Sequence, residues 1–236
     1  MLRRNQLFVF ILISLTQAAF AVPGVKIISI SGEVKIRRGV EETWHHASVG
    51  MLLEEIDTIL TGEAATVVLK TDEGATFRLG SFAILDIADL RKITERELFL
   101  YLMSKKVNQI PNREGKTRLR IGNVSVVHGE PKAGHAPSQT DNDDSQDWMQ
   151  ETNGAKALYE QQYYPNAIMK LHKVLAKYPN AEDCGERHFY LGKAFEAMNK
   201  PGQAIDAYKA VLEKLCENDL SKQRAGEARQ AIERLK

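Results

Sequence analysis

The chain is poor in the residues that most often announce a function. Among 236 positions there are two cysteines, two tryptophans and 7% aromatic residues, and the charges almost cancel. Lys and Arg number 32 against 31 Asp and Glu, a formal charge of +1. This balance argues against a nucleic-acid binder, which would carry a strongly basic face. No run of eighteen apolar residues occurs beyond the N-terminus, so the body is not expected to span a membrane. Catalytic signatures are absent too. Leu79-Gly80-Ser81-Phe82-Ala83 keeps only the first part of a G-x-S-x-G elbow, and there is no glycine-rich phosphate loop. His45 and His46 point to opposite faces if extended, and His128 and His135 flank a loop start. His172 and His188 fall on predicted helices without H-E-x-x-H spacing. The chain is not read as an enzyme, and no metal or cofactor is assigned.

What is present is ordinary globular composition, 43% hydrophobic and 27% charged, at a length that suits one large domain or two small ones. Residues 1–21 have the three parts of a secretory signal peptide: basic Arg3 and Arg4, an apolar core over 7–15, and small Ala19 and Ala21 at the cleavage site. Cleavage after Ala21 would leave a mature chain in the periplasm with no membrane span. The alternative is an uncleaved anchor.

From residue 22 to 129 short apolar segments alternate with period two and are separated by turn residues. Ser31-Gly32, between 25–30 and 33–37, predicts one hairpin; Asp72-Glu73-Gly74, between 65–71 and 75–79, predicts another. Further strands are expected over 83–87, 98–103, 117–121 and 124–127. Together they indicate an all-β sandwich or roll. Gly50, Leu53, Asp57, Thr61, Gly62, Leu69, Asp72, Gly74, Leu79, Ser81 and Leu85 follow in order the pattern of the FecR-like periplasmic domain, which this half resembles. It departs in having Glu55-Ile56 where glycine usually precedes Asp57, and in an inserted Glu73. The resemblance implies a noncatalytic module of exported or membrane-anchored bacterial proteins. In its namesake the module relays a signal to a cytoplasmic sigma factor, a role that needs a tether and a cytoplasmic tail and is not expected here. Trp44 is read as core or edge packing, with a ligand-facing aromatic as the alternative.

Residues 130–148 are polar and end in Asp141-Asn142-Asp143-Asp144-Ser145-Gln146-Asp147, which predicts a flexible acidic linker. The glycine and terminal Glu of an EF-hand loop are missing. Residues 149–236 are helical and contain an internal repeat. Ala167-Ile168 recurs as Ala204-Ile205 and Val174-Leu175 as Val211-Leu212, a period of 37. Helices are expected over 151–161 and 186–198, each preceding one copy, and over 222–235. Leu191-Gly192, Phe195, Ala204, Tyr208 and Val211 match the tetratricopeptide repeat, which this part resembles. The first copy keeps Leu158, Tyr164, Ala167, Leu171, Val174 and Pro179 but has Gly154-Ala155 in place of Leu-Gly. The last helix reads as a solubilising end of the array. The resemblance implies a concave groove that takes an extended peptide or a partner helix. The groove positions are Thr152, Lys156, Tyr159 and Glu160 in the first repeat and Phe189, Lys193, Glu196 and Ala197 in the second. Packing between helices is the competing role for Tyr159 and Phe189.

Cys184 precedes the first helix of the second repeat and Cys216 ends its second helix, neighbouring ends in a helical hairpin. A disulfide is expected in an oxidising compartment, with two free thiols as the alternative. The fold class is α+β multidomain: a β domain, a tether, and a helical array. The expected function is a noncatalytic adaptor for protein partners of the bacterial cell envelope, the β domain contacting a second partner or the cell wall. A membrane-anchored envelope sensor is the alternative, and a carbohydrate-binding module a third reading.

Overall fold

In the computed structural model, residues 24–108 and 144–236 are described. The leader, the expected strands 117–121 and 124–127, His128, His135 and the linker up to residue 143 lie outside them. The fold is mixed α+β. Among the described residues eight short strands form two four-stranded antiparallel sheets: β1 (Val25–Ser31), β2 (Val34–Arg37), β3 (His45–His46), β4 (Leu52–Leu53), β5 (Thr58–Thr61), β6 (Thr66–Lys70), β7 (Thr76–Leu79) and β8 (Ala83–Asp86). Their orders are β4-β1-β6-β7 and β3-β2-β5-β8. Alternation places Ile27, Val67, Leu69, Phe77 and Leu79 of one sheet and Val34, Ile36, Ile59 and Leu85 of the other in one buried core.

The β6–β7 hairpin forms as expected, with Val67 opposite Leu79 and Gly74 in the left-handed region at φ 85°. The expected β1–β2 hairpin does not form. Gly32 instead passes the chain from one sheet to the other, and a Cβ there would lie 2.8 Å from the Ala65 Cα. A tight turn between two alternating runs fixes the reversal but not which strand becomes the neighbour. The polar residues of the sequence pattern hold corners. Asp57, 3% exposed, accepts hydrogen bonds from the amides of Gly39 and Glu54 and from Arg38 Nη1. The Thr61 hydroxyl donates to the Gly80 carbonyl and accepts from the Ala83 amide, joining β5 to β8.

After a short 3₁₀ turn (Ile87–Leu90) the described residues form six helices: α1 (Glu95–Asn108), α2 (Asp144–Glu160), α3 (Tyr164–Lys177), α4 (Glu186–Ala197), α5 (Pro201–Glu213) and α6 (Asp219–Leu235). The strand expected over 98–103 lies inside α1. A reciprocal capping box decides this: the Glu97 amide donates to Thr94 Oγ1, and the Thr94 amide and hydroxyl donate to Glu97 Oε2. The Thr94 backbone amide, then Arg91 and the Thr94 hydroxyl, hold the Glu97 carboxyl down at about 2. The end of the expected linker is also helical, since α2 already runs from Asp144.

The helices follow the 37-residue period. α2 ends at Glu160 and α4 at Ala197; α3 begins at Tyr164 and α5 at Pro201. Gln162 and Asn199, also 37 apart, both take left-handed φ values, 68° and 55°, and turn the chain between helices. From α2 onward each helix packs on the next, α2 also touches α4, and α4 touches α6. Gly192 admits the Tyr208 ring, whose edge lies 2.7 Å from where a Cβ would stand.

The expected independence of the two modules is not what the structure shows. α2 lies against β8, and Ala157, Leu158 and Ala167 belong to the same buried cluster as the sheets. Gln161 uses its side-chain amide as a strand would: its Oε1 accepts from the Arg78 amide and its Nε2 donates to the Arg78 carbonyl, both at 2.7 Å. This covers the open edge of β7. Asn153 Nδ2 donates to the Phe82 carbonyl and Asn166 Nδ2 to those of Asp89 and Arg91. Lys170, 2% exposed, reaches Asp89 at 2.8 Å and Asp86 at 3.4 Å. Burial alone would lower its pKa, but Asp89 and Asp86 outweigh that and raise it, keeping the ammonium charged. Polarity misled the sequence reading, because these seam residues are polar but satisfied.

Candidate partner-binding site

The inner sides of α2, α4 and α6 enclose a concave pocket of about 500 Å³. α2 contributes Tyr159; α4 contributes Phe189, Lys193, Glu196 and Ala197; Tyr208 enters from α5. α6 closes it with Glu227, Gln230, Ala231 and Arg234, spaced so that all four fall on one helical face. The Lys193 ammonium stands 5.3 Å from the Phe189 ring centroid, 5.5 Å from that of Tyr159 and 6.0 Å from that of Tyr190. Aromatic faces at this range attract a cation. Among the described residues no carboxylate pairs with it. Glu196 is engaged: it accepts from the Tyr208 hydroxyl at 2.9 Å and from Arg234. Burial and the Glu196 carboxylate both push the Tyr208 phenol up, so it stays a donor; burial raises Tyr159 as well.

Of the groove positions expected from sequence, Tyr159, Phe189, Lys193, Glu196 and Ala197 line this one pocket. Lys156 stands beside them, 3.0 Å from Glu186 and 5.3 Å from the Tyr190 ring. Glu160 is exposed but does not line the pocket. Thr152 corrects the expectation: it is 1% exposed, its hydroxyl donates to the Trp148 carbonyl, and no partner could reach it. The α6 residues were missed because that helix was read only as an end piece. Their i, i+3, i+4, i+7 spacing from Glu227 was the available signal.

Cys184 and Cys216 are disulfide-bonded, with Cα atoms 5.2 Å apart. The bridge closes a loop of about 33 residues, worth about 3.5 kcal/mol by chain entropy. Reduction should lower the urea unfolding free energy by roughly that amount; an unchanged midpoint would show that the hairpin does not depend on it. Trp44 packs under Arg37, whose guanidinium lies 5.1 Å from the ring centroid. His45 and His46 are exposed on β3. Among the described residues no cluster of three or more His, Cys, Asp or Glu is placed to hold a metal, and no helix is long and apolar enough to cross a membrane.

No protein-family model matches this chain, and no curated protein or solved structure matched it either. Functional argument therefore rests on the pocket itself.

Proposed function

We propose that the protein is an exported, noncatalytic adaptor of the bacterial cell envelope: a FecR-like β domain with a short tetratricopeptide array, binding an extended segment of a protein partner in the concave pocket. The observation that carries this reading is the convergence of Tyr159, Phe189, Lys193 and Glu196, four positions assigned from sequence by the repeat resemblance, on one open surface. Rings on a rigid helical frame supply contact area with little loss of side-chain freedom, and charges fix register. The disulfide suits an oxidising compartment. Because the helices share a core with the sheets, the partner would be presented at a set position relative to the β domain, not on a loose tether.

A photo-crosslinking residue at exposed Gln230 tests the reading, with one at exposed Lys209 as control. In envelope preparations the first should capture a defined partner that the second does not. Tyr159→Ala together with Lys193→Ala should weaken binding of that partner at least tenfold, about 1.4 kcal/mol or more. Equal capture at both positions, or unchanged affinity in the double variant, would overturn it. Substitution is the appropriate tool, since cutting the chain at Gly129 would bare the core that Ala157, Leu158 and Ala167 cover.

A further inference from the structure

On the side of the helical layer away from that pocket, α1 lies against α3 with a narrow footing. Leu98 is buried, Leu102 packs at the edge of the helical core, and the Tyr101 hydroxyl donates to the Met169 carbonyl at 3.4 Å. Phe99, Leu100 and Met103 remain exposed on the same helix. Under this footing sits His172 of α3, its ring centroid 6.2 Å from that of Tyr101 and 6.2 Å from that of Phe195. Its Nε2 is shielded from solvent and has no hydrogen-bond partner among the described residues; the same holds for Nδ1 of His188 on α4. Both histidines line one cavity of about 690 Å³ with Leu102, Leu175, Leu191 and Phe195.

Both rings are half-buried, so a neutral imidazole tolerates the place, whereas an imidazolium sets a partly desolvated charge and a shielded N–H there with no acceptor. The surroundings offer little. α1 presents Lys105 and the Tyr101 ring, the residue before α5 is Lys200, and α5 presents one carboxylate, Asp206, which bonds to neither imidazole. His188 also feels Asp183, Arg187, Lys214 and Glu213, whose charges pull in both directions.

We propose that α1 is an acid-released cover: protonation of His172, reinforced by His188, drives the helix off the seam between α3 and α4 and bares the apolar floor formed by Leu175, Leu191 and Phe195. Burial first, then Lys105 and His188, hold His172 down at about 4; burial likewise lowers His188. Once α1 leaves, the ring meets water and returns toward the ordinary value of about 6.5. A folded value below the released one means that the covered state is fully favoured above about pH 6.5 and loses ground until about pH 4. Between pH 7 and pH 4.5 the release equilibrium shifts about fiftyfold through His172 alone.

Hydrogen exchange on the full oxidised chain, corrected for the intrinsic effect of pH, reads this directly. Peptides covering 95–105 should exchange about fiftyfold faster near pH 4.5 than near pH 7, while peptides of β6 and α5 keep their protection. His172→Phe, which cannot titrate, should keep α1 protected at both values. Lys105→Glu, which gives the imidazolium a carboxylate, should shrink the response and needs no change in the core. Equal protection of α1 at both pH values overturns the proposal, as does a response that survives undiminished in both variants.

Discussion

Gly154→Ala should destabilise the protein by about 3 kcal/mol, against the usual trend for a helical glycine. In an exposed helix interior this exchange gains up to about 1 kcal/mol, because alanine has less backbone freedom to lose. At Gly154, however, the added Cβ would stand 2.0 Å from the Ile84 carbonyl oxygen and 3.0 Å from its carbon, both backbone atoms of β8. No side chain can swing aside, so α2 must move off the strand as a unit. That displacement would strain the bond from Asn153 to Phe82, the paired bonds between Gln161 and Arg78, and the buried contact of Lys170 with Asp89. At about 2–4 °C per kcal/mol for a chain of this size, the midpoint of thermal unfolding should fall by about 6–12 °C. Gly226→Ala is the matched control, since a Cβ in the middle of α6 meets nothing within 4 Å. It should leave the midpoint unchanged or raise it. A Gly154→Ala protein as stable as the control would mean that α2 does not bear on β8.

Much of this architecture was legible before any coordinates. Alternation gave β6 and β7 with their turn, and the helix expected over 186–198 matches α4 to within a residue. The five converging pocket residues followed from placing the repeat pattern on the chain. What was not legible was long-range. Ser31-Gly32 reads as a hairpin turn because a turn encodes reversal locally, whereas β6 wins the pairing with β1 through a core assembled from distant segments. The stretch from Leu98 to Met103 is apolar enough for either element, and only the Thr94–Glu97 box, three residues apart in sequence, distinguishes helix from strand. The seam between sheets and helices was hidden for a different reason. It is built from Gln161, Asn153, Asn166 and Lys170, residue types expected at the surface, each buried or half-buried here because its hydrogen bonds are met by backbone or by Asp89. Gly154-Ala155 was read as a departure from the repeat; in the fold the glycine serves β8 instead.

Arg187→Met should cost more than any surface substitution, about 3–5 kcal/mol near neutral pH. Arg187 is fully buried at the start of α4. Its Nε donates to Asp183 Oδ2 at 2.6 Å, Nη1 to the Tyr178 carbonyl and Nη2 to the Ala181 carbonyl, both at 2.9 Å. The guanidinium also lies 5.6 Å from the centroid of Trp148, which ties the second turn of α2 to α4. Methionine fills much of the space but takes the guanidinium donors from a buried carboxylate and two carbonyls, which keep only backbone amides as partners. Asp183→Asn combined with Arg187→Met removes the buried charge that has lost its partner and should recover only part of the loss, because the Tyr178 and Ala181 carbonyls still lack the guanidinium donors and keep only the longer turn bonds from the Ala181 and Asp183 amides. The pH dependence separates charge from packing. Burial would raise the Asp183 carboxyl, but the hydrogen bonds from the Arg187 side chain and amide, with the guanidinium charge, more than offset it and hold the group below its ordinary value. A carboxyl lowered in the folded state stabilises fully above its unfolded value, about 3.9, and that stabilisation disappears as pH falls through the lowered folded value. With the guanidinium gone the carboxyl keeps only the backbone amides of residues 185 and 187 and is held down less, so protonation relieves the variant earlier than the parent. Urea unfolding from pH 7 down to pH 3 should therefore show the gap between the two proteins narrowing with acid. A gap that stays constant would assign the loss to packing alone and remove the ion pair from the account.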